Sequence, residues 1–365
     1  MTSSQPGQAV EADSDRYPLL ISADSHVVED PDLWGTRLPT GLRDSAPSYP
    51  ALSVGGSFQA HPGGHDPVQR VKEMATDGVS AEVLYPSLAM DQYSMEDAVL
   101  QEACFRVYND WIIEYCSVAP SRLFGIGMIS VYDIVHAVAE LERCRHAGLK
   151  GAMVWQVPPD ELAFHTDHYE RFWSAAQDLE MPVNLHILTG APFRAPPAVR
   201  GRRTAYEAMR GTTNMKLLYA SNALSDIILT GALERYPRLK VVLVENEMSW
   251  IPFYLAQYDK YLSRGNLESP LTLRPSDYFL RQVYATFFND PPAAWTLPHW
   301  GADNCMWSND YPHPNSTWPN SRQVIQRDLS HVPAEDRTKL LHGNVTRLYQ
   351  LPIVPSLQVA AGRSP

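Results

Sequence analysis

Short apolar runs alternate with amphipathic stretches along most of the chain. The runs have the length and composition of strands that are buried on both faces of a parallel sheet. Eight runs predict strands at residues 19–26, 79–87, 122–130, 149–155, 182–187, 239–245, 283–288 and 304–310. Between them, apolar residues recur at helical spacing, as in segment 96–120, which ends at a proline. The pattern therefore predicts alternating strands and helices.

Eight strand–helix units predict an α/β fold, a (β/α)8 TIM barrel, because each parallel strand needs a crossover helix to reach the next. A doubly wound open sheet is the alternative, but no GxGxxG motif follows the first strand to support a dinucleotide site. The barrel is expected over residues 19–350. Residues 1–18 are expected to form a disordered acidic tail, and residues 351–365 a C-terminal tail.

Two connections are long and lack a strong periodic pattern, residues 28–75 and residues 188–215. Both follow the C-terminal end of a predicted strand, which is the end of a (β/α)8 barrel that carries the active site. Long connections of this kind are often lids. We therefore expect both to lie over the ligand-binding face.

Side chains that bind metals stand at the ends of four predicted strands. Asp24 and His26 are two residues apart, so they point to the same side of one strand. His186, Glu245 and Asp310 end three further strands. Because the strand ends of a barrel converge, two imidazoles and three carboxylates are expected to share one pocket. This set predicts a metal site, in which Glu245 and Asp310 also take catalytic roles.

Four further residues are predicted to contact the substrate or to support the metal ligands. His313 follows the last strand and Glu247 follows the sixth. His65 lies in the first long connection, and Arg194 is one of several arginines in the second that would hold an anionic group. Solvated surface positions are the alternative for His65 and Arg194.

The composition excludes several classes of protein. A net charge of −11 argues against a nucleic-acid surface. No apolar stretch reaches the ~18 residues needed to span a membrane. The N-terminus lacks the basic and apolar regions of a secretory signal, and the four cysteines show no paired spacing. We therefore expect a cytoplasmic protein that acts on a small molecule.

Five segments occur in order along the chain: ISADSHVVED, DPVQRVKEMATDGVSAEVLYPS, NLHI, YPRLKVVLVENEMSWIPF and MWSNDYPHPNSTWP. Together they resemble the amidohydrolase-related family, which includes the aminocarboxymuconate-semialdehyde decarboxylase group. The resemblance implies a metal-dependent barrel of the amidohydrolase type. Family members commonly begin with H-x-H or E-x-H, and decarboxylase members carry a catalytic histidine after the sixth strand. This chain has Asp24 and Glu245 at those positions.

Two functional hypotheses follow, and they differ in the number of metal ions. Two histidines and three carboxylates exceed the three protein ligands of a catalytic zinc and are similar to dinuclear carboxylate sites. The first hypothesis is therefore a dinuclear non-haem iron monooxygenase that hydroxylates an apolar organic or natural-product intermediate, a branch of the family that this ligand set resembles. The second, which the family favours, is a mononuclear zinc or manganese decarboxylase or hydrolase of a small carboxylic acid.

A third hypothesis is a binding protein that kept the barrel and lost catalysis. The five polar strand ends argue against it. For either enzyme we expect an anionic or thioester-linked small-molecule substrate, and we include a homo-oligomer among the expected states.

Overall fold

The structure of the protein is a computed structural model that describes residues 19–49, 61–190, 205–264 and 268–352. The predicted N-terminal tail and nearly all of the predicted C-terminal tail lie outside these residues. Both tails therefore stay predictions.

Parallel strands form the centre of the described part of the chain, and paired strands follow one another in sequence order. Three strands pair as one group and six as another. Their bounds are β1 (Ile21–His26), β2 (Ala81–Tyr85), β3 (Leu123–Gly125), β4 (Gly127–Met128), β5 (Ala152–Val154), β6 (Val183–His186), β7 (Val241–Val244), β8 (Val283–Phe287) and β9 (Cys305–Trp307).

Backbone hydrogen bonds connect the chain after the last strand to the first strand. Asp310 N donates to Asp24 O at 3.0 Å, and His26 N donates to Tyr311 O at 2.6 Å. The succession of parallel strands therefore returns to β1, as a barrel requires. The predicted (β/α)8 barrel is confirmed, and the open-sheet alternative is wrong.

The third predicted strand, residues 122–130, is divided into β3 and β4. Glycines flank the break, and a Cβ atom on Gly125 would lie 2.9 Å from the side chains of Ile112 and Leu149. The glycine allows close packing and weakens the strand locally. Ile126 N still donates to Leu84 O at 3.0 Å, so β3 and β4 occupy one strand position of the barrel.

Helices surround the strands, and their apolar faces join the strands in one continuous hydrophobic core. Among the helices that the structure describes, none combines the length and apolar content that crossing a bilayer requires. Their bounds are α1 (Leu33–Arg37), α2 (Pro67–Asp77), α3 (Ala98–Cys116), α4 (Ile134–His146), α5 (Glu170–Asp178), α6 (Ala205–Leu229), α7 (Ala232–Arg235), α8 (Ile251–Arg264), α9 (Pro275–Gln282), α10 (Ala293–Trp300), α11 (Ser321–Leu329), α12 (Ala334–Thr338) and α13 (Asn344–Tyr349).

The two long connections contain more helix than their sequences predict. The first contains α1 and α2, and α2 begins where Asp66 accepts hydrogen bonds from the backbone N–H groups of Val68 and Gln69. The helix predicted from residue 216 begins at Ala205 as α6, within the second connection. It ends before Gly231, whose φ of 82° is left-handed and separates α6 from α7.

Candidate metal centre

Asp24, His26 and His186 lie together at the C-terminal ends of β1 and β6, and all three are fully buried. Asp24 Oδ1 lies 3.4 Å from His26 Nε2 and 3.7 Å from His186 Nε2. The two Nε2 atoms are 3.3 Å apart. Three ligand atoms from two strands therefore surround one point, as the convergence of strand ends predicts.

Backbone carbonyl groups hold both imidazoles with Nε2 toward the pocket. His26 Nδ1 lies 2.7 Å from Pro86 O, and His186 Nδ1 lies 2.8 Å from Ile187 O. A carbonyl oxygen only accepts hydrogen bonds, so we assign the donated proton of each ring to Nδ1. Each Nε2 then offers a lone pair to the pocket, which is how proteins orient histidines that bind metal.

Asp24 and Asp310 are buried carboxylates without hydrogen-bond donors on either oxygen. A buried carboxylate is very unfavourable unless a donor or a cation accompanies it. Asp310 Oδ1 lies 3.5 Å from His26 Nε2, so both carboxylates border the same space. Two imidazole nitrogens and two unpartnered carboxylates fit a divalent metal ion such as zinc or manganese.

Glu245 and Asp310 both have left-handed backbone conformations, with φ values of 60° and 54°. A residue other than glycine pays about 1–3 kcal/mol for such a conformation, and residues of this kind cluster at functional sites. Glu245 directly follows β7, and Asp310 lies three residues beyond β9. At both residues the chain turns, and the carboxylate points toward the pocket.

Lys216 of α6 is the cation closest to Glu245 among the described residues. Its Nζ lies 3.6 Å from Glu245 Oε1 and 3.3 Å from Glu247 Oε1. Glu245 Oε2 lies 3.9 Å from His186 Nε2, so this carboxylate sits between the lysine and the metal pocket. Burial and the charge of Asp310 raise the pKa of Glu245, while Lys216 opposes them.

The two aspartates of the pocket differ in their affinity for a proton. Burial raises the pKa of Asp24, but the neighbouring imidazoles of His186 and His26 outweigh it and hold that pKa well below its usual range. For Asp310, burial prevails and raises the pKa to about 7. Asp310 can therefore hold a proton near neutral pH, whereas Asp24 stays ionised. A bound divalent cation lowers the pKa of a neighbouring carboxyl group.

His313 lies against both His26 and Asp310. Its ring stacks on the His26 ring with the centroids 3.8 Å apart. Its Nδ1 lies 2.8 Å from Asp310 Oδ1, although the contact lacks the geometry of a hydrogen bond, and its Nε2 lies 3.1 Å from Ser87 Oγ. Burial lowers the pKa of His313 to about 4, so the ring is neutral at physiological pH.

The remaining predicted site residues lie in different surroundings. Glu247 contacts Lys216, as Glu245 does, and its Oε2 accepts a hydrogen bond from Phe288 N at 3.3 Å. His65 is exposed and is not one of the clustered residues. Arg194 lies outside the described residues.

Two cations beside the pocket were not among the residues predicted from the sequence, the partly buried Lys216 and the fully buried Arg70. Arg70 Nη1 donates to His26 O at 2.6 Å, and its Nε donates to Glu82 Oε2 at 2.6 Å. A signal for Arg70 exists in the sequence, because Met74 lies four residues later on the buried face of α2. No comparable signal marks Lys216, whose contacts depend on how α6 crosses the end of β7.

A profile of the family described as Amidohydrolase matches residues 23–351. Gamma-resorcylate decarboxylase of Polaromonas sp. (strain JS666) is 24% identical over 309 residues, covering 78% of this chain and 87% of that protein.

Two solved structures share the fold. 5-Carboxyvanillate decarboxylase LigW from Sphingomonas paucimobilis has a TM-score of 0.72 and 22% identity, over 92% of this chain and 100% of that chain. A dihydroxybenzoic acid decarboxylase from Polaromonas sp. JS666, with bound manganese and the inhibitor 2-nitroresorcinol, has a TM-score of 0.66 and 20% identity, over 92% and 98%. At these identities the likeness supports the barrel fold alone.

The prediction of an iron monooxygenase, and of an oxidoreductase more widely, is wrong, because these relatives are decarboxylases by name. Two iron ions have no support either, since the metal named with a relative is manganese. The ligand count behind the prediction included Glu245. Lys216 Nζ lies 3.6 Å from that carboxylate, so a protein side chain offsets part of its charge and Glu245 need not count as a ligand of a second metal ion.

Proposed function

The chain belongs to the amidohydrolase family, and on that basis we propose that it is a metal-dependent decarboxylase of a small aromatic carboxylic acid. The observation that carries the proposal is the pocket in which Asp24 and Asp310, with four unpartnered carboxylate oxygens, lie 3.4 Å and 3.5 Å from His26 Nε2, with His186 beside Asp24. The substrate class is taken from the relatives, which act on gamma-resorcylate, 5-carboxyvanillate and 2,6-dihydroxybenzoate by name.

In the proposed enzyme, Asp24, His26, His186 and Asp310 would hold one divalent ion. Imidazole with carboxylate suits zinc or manganese. When bound, the ion would act as a Lewis acid and attract the oxygens of an anionic substrate. The role of Glu245 as a further ligand stays a prediction, because its carboxylate also faces Lys216.

Decarboxylation needs one proton for each carbon dioxide released. The bond between the ring carbon and the carboxyl group breaks, and its electron pair stays on the ring carbon, which must then take a proton. In the proposal Asp310 delivers that proton, because its carboxylate lies in the pocket, 3.5 Å from His26 Nε2, where a substrate carboxyl group would bind. Water returns a proton to Asp310 afterwards. His313, 2.8 Å from Asp310 Oδ1, positions the carboxyl group.

Lys216 and Glu245 form the side of the pocket nearest α6. In family members that decarboxylate, the resemblance places a catalytic histidine where this chain has Glu245. A carboxylate cannot supply the positive charge that a protonated histidine supplies. In the proposal Lys216 supplies it instead, with its Nζ 3.6 Å from Glu245 Oε1.

The proposal is tested by incubating the purified protein, loaded with manganese or zinc, with hydroxylated benzoates and measuring carbon dioxide. We expect release of carbon dioxide and of the matching phenol, and its loss in the Asp24→Asn variant. Parallel incubations use esters and amides of the same acids, and release of an alcohol or amine from these, with no carbon dioxide from the acids, would identify a hydrolase instead. A thioester-linked substrate and a homo-oligomer remain predictions that this experiment does not address.

A further inference from the structure

A second concave region lies at the opposite end of the barrel from the metal centre. It is a cavity of about 400 Å³, the size of a small-molecule site. Pro182, Lys240 and Tyr284 line it where β6, β7 and β8 begin. A strand rises about 3.3 Å per residue, so four residues of β6 separate this cavity from His186 by ~13 Å.

Three cations line this cavity, Arg238, Lys240 and Arg347. Arg238 is paired, since its Nη2 lies 2.5 Å from Asp178 Oδ1. One carboxylate, Glu180, is also part of the lining and accepts a hydrogen bond from Gln350 Nε2 at 2.9 Å. The lining therefore carries more positive than negative charge, in a protein whose net charge is −11.

Lys240 and Arg347 have no carboxylate within ion-pair distance in the part of the chain that the structure describes. Lys240 Nζ donates to the backbone oxygen of Arg281 at 2.8 Å. Arg347 Nη2 donates to Asp303 O at 2.8 Å and to Asn344 Oδ1 at 3.0 Å. Their hydrogen bonds therefore go to neutral oxygens, and their charges are not balanced by contact.

The cations around the cavity repel one another. Burial lowers the pKa of Lys240, and the positive charges of Arg281 and Arg347 lower it further. A cluster of like charges that is partly removed from water raises the free energy of the folded protein. An anion bound among these groups would remove the repulsion.

We infer that this cavity binds a small organic anion, a carboxylate or phosphate ester on an apolar body. Lys240 and Arg347 would hold the anionic group. The rest of the lining is largely apolar, with Met181, Tyr284 and Leu348 available for the hydrocarbon part. The inference does not depend on the proposed decarboxylation, because the cavity and the metal centre lie at opposite ends of the barrel.

Phenyl phosphate, which combines a dianion with an apolar ring, is a suitable probe, and calorimetric titration of the full chain measures its binding. We expect the wild type to bind it and Lys240→Gln to bind at least about tenfold more weakly, because a charge-assisted hydrogen bond is lost. Lys240→Arg keeps the charge and should keep binding. Lys260→Gln, on the exposed side of α8, is the matched control and should bind like the wild type.

A variant of the metal centre distinguishes the two sites. Asp24→Asn should retain phenyl phosphate binding if the probe occupies the cavity. Loss of binding in Asp24→Asn would place the probe at the metal centre and overturn the inference. So would an unchanged affinity in Lys240→Gln, or no binding by the wild type. Circular dichroism and melting curves establish that each variant is folded.

Discussion

His26 and His186 direct their Nε2 atoms at each other across 3.3 Å, and neither ring is free to turn away. Each Nδ1 is held by a backbone carbonyl, so two lone pairs meet beside the carboxylate of Asp24. Two lone pairs at this distance repel unless a proton or a metal ion lies between them. The fold therefore creates a pocket that is stable only when a positive charge, a proton or a metal ion, lies between the two rings.

The first prediction concerns the metal ion that would supply this positive charge. We expect the purified protein to carry about one divalent ion per chain and its removal by a chelator to lower the melting temperature, since a ligand at 100 times its Kd stabilises by about 2.7 kcal/mol. Atomic emission and calorimetry measure both quantities. Asp24→Asn should lose most of the metal, whereas Asp178→Asn, an exposed control, should not. A chelator without effect on the wild type would contradict the assignment.

A second prediction concerns the proton at Asp310. Asp310→Asn cannot donate a carboxylic proton, so carbon dioxide release should fall by about 10²–10⁴-fold. Metal content should fall less than in Asp24→Asn, because the mutually close ligand atoms of Asp24, His26 and His186 all remain. Asp303→Asn, at an exposed position, is the control and should keep full activity. If metal loss accounts for all of the lost rate in Asp310→Asn, the residue is a ligand only.

The role of Glu245 gives a third prediction. Glu245→Gln keeps the shape of the side chain and removes its charge, so metal content should stay near that of the wild type if four ligands suffice. Glu247→Gln is a matched variant, because it removes the other carboxylate beside Lys216. We expect both variants to retain metal. A metal-free Glu245→Gln protein, with Glu247→Gln still loaded, would make Glu245 a ligand.

Glu29 gives a fourth prediction, on stability against pH. It is 1% exposed, and burial raises its pKa from 4.5 to about 7, although hydrogen bonds from Ser87, Leu88 and Ala89 N–H groups oppose the shift. Between these two values the folded chain holds a proton that the unfolded chain has lost. As pH rises from about 4.5 to 7, the free energy of unfolding should therefore decrease by about 3 kcal/mol.

Urea unfolding at pH 5 and pH 8 measures this dependence. Glu29→Gln does not titrate and should show a smaller difference between the two pH values than the wild type. Glu96→Gln, at an exposed position, should show the same difference as the wild type. Equal differences in all three proteins would exclude Glu29 as the cause.

The clustering of Asp24, His26, His186 and Asp310 could be predicted from the sequence, because it follows from local periodicity. Asp24 and His26 share a strand face through the two-residue period, and parallel strand ends converge in any barrel. The charge around Glu245 was not predictable in this way. Lys216 is 29 residues away from Glu245 in sequence, and α6 begins inside a segment without a clear helical pattern. A ligand count that leaves out this lysine favours two metal ions.

The sequence pattern also does not predict where a strand is interrupted. The run of residues 122–130 is apolar throughout, so periodicity predicts one strand there. What divides it is the close packing of Ile112 and Leu149 on Gly125, a contact between distant segments. The length of apolar runs thus predicts where strands lie, while packing partners decide where they end.

The left-handed backbone at Glu245 and Asp310 sets stability and function against each other. Glycine at either position would relieve the strained conformation and, in the second case, remove a buried unpartnered charge. A laboratory selection for thermal tolerance alone would therefore favour variants that dismantle the pocket. Evolution of this scaffold toward heat resistance should proceed elsewhere in the chain, for as long as the proposed activity is selected.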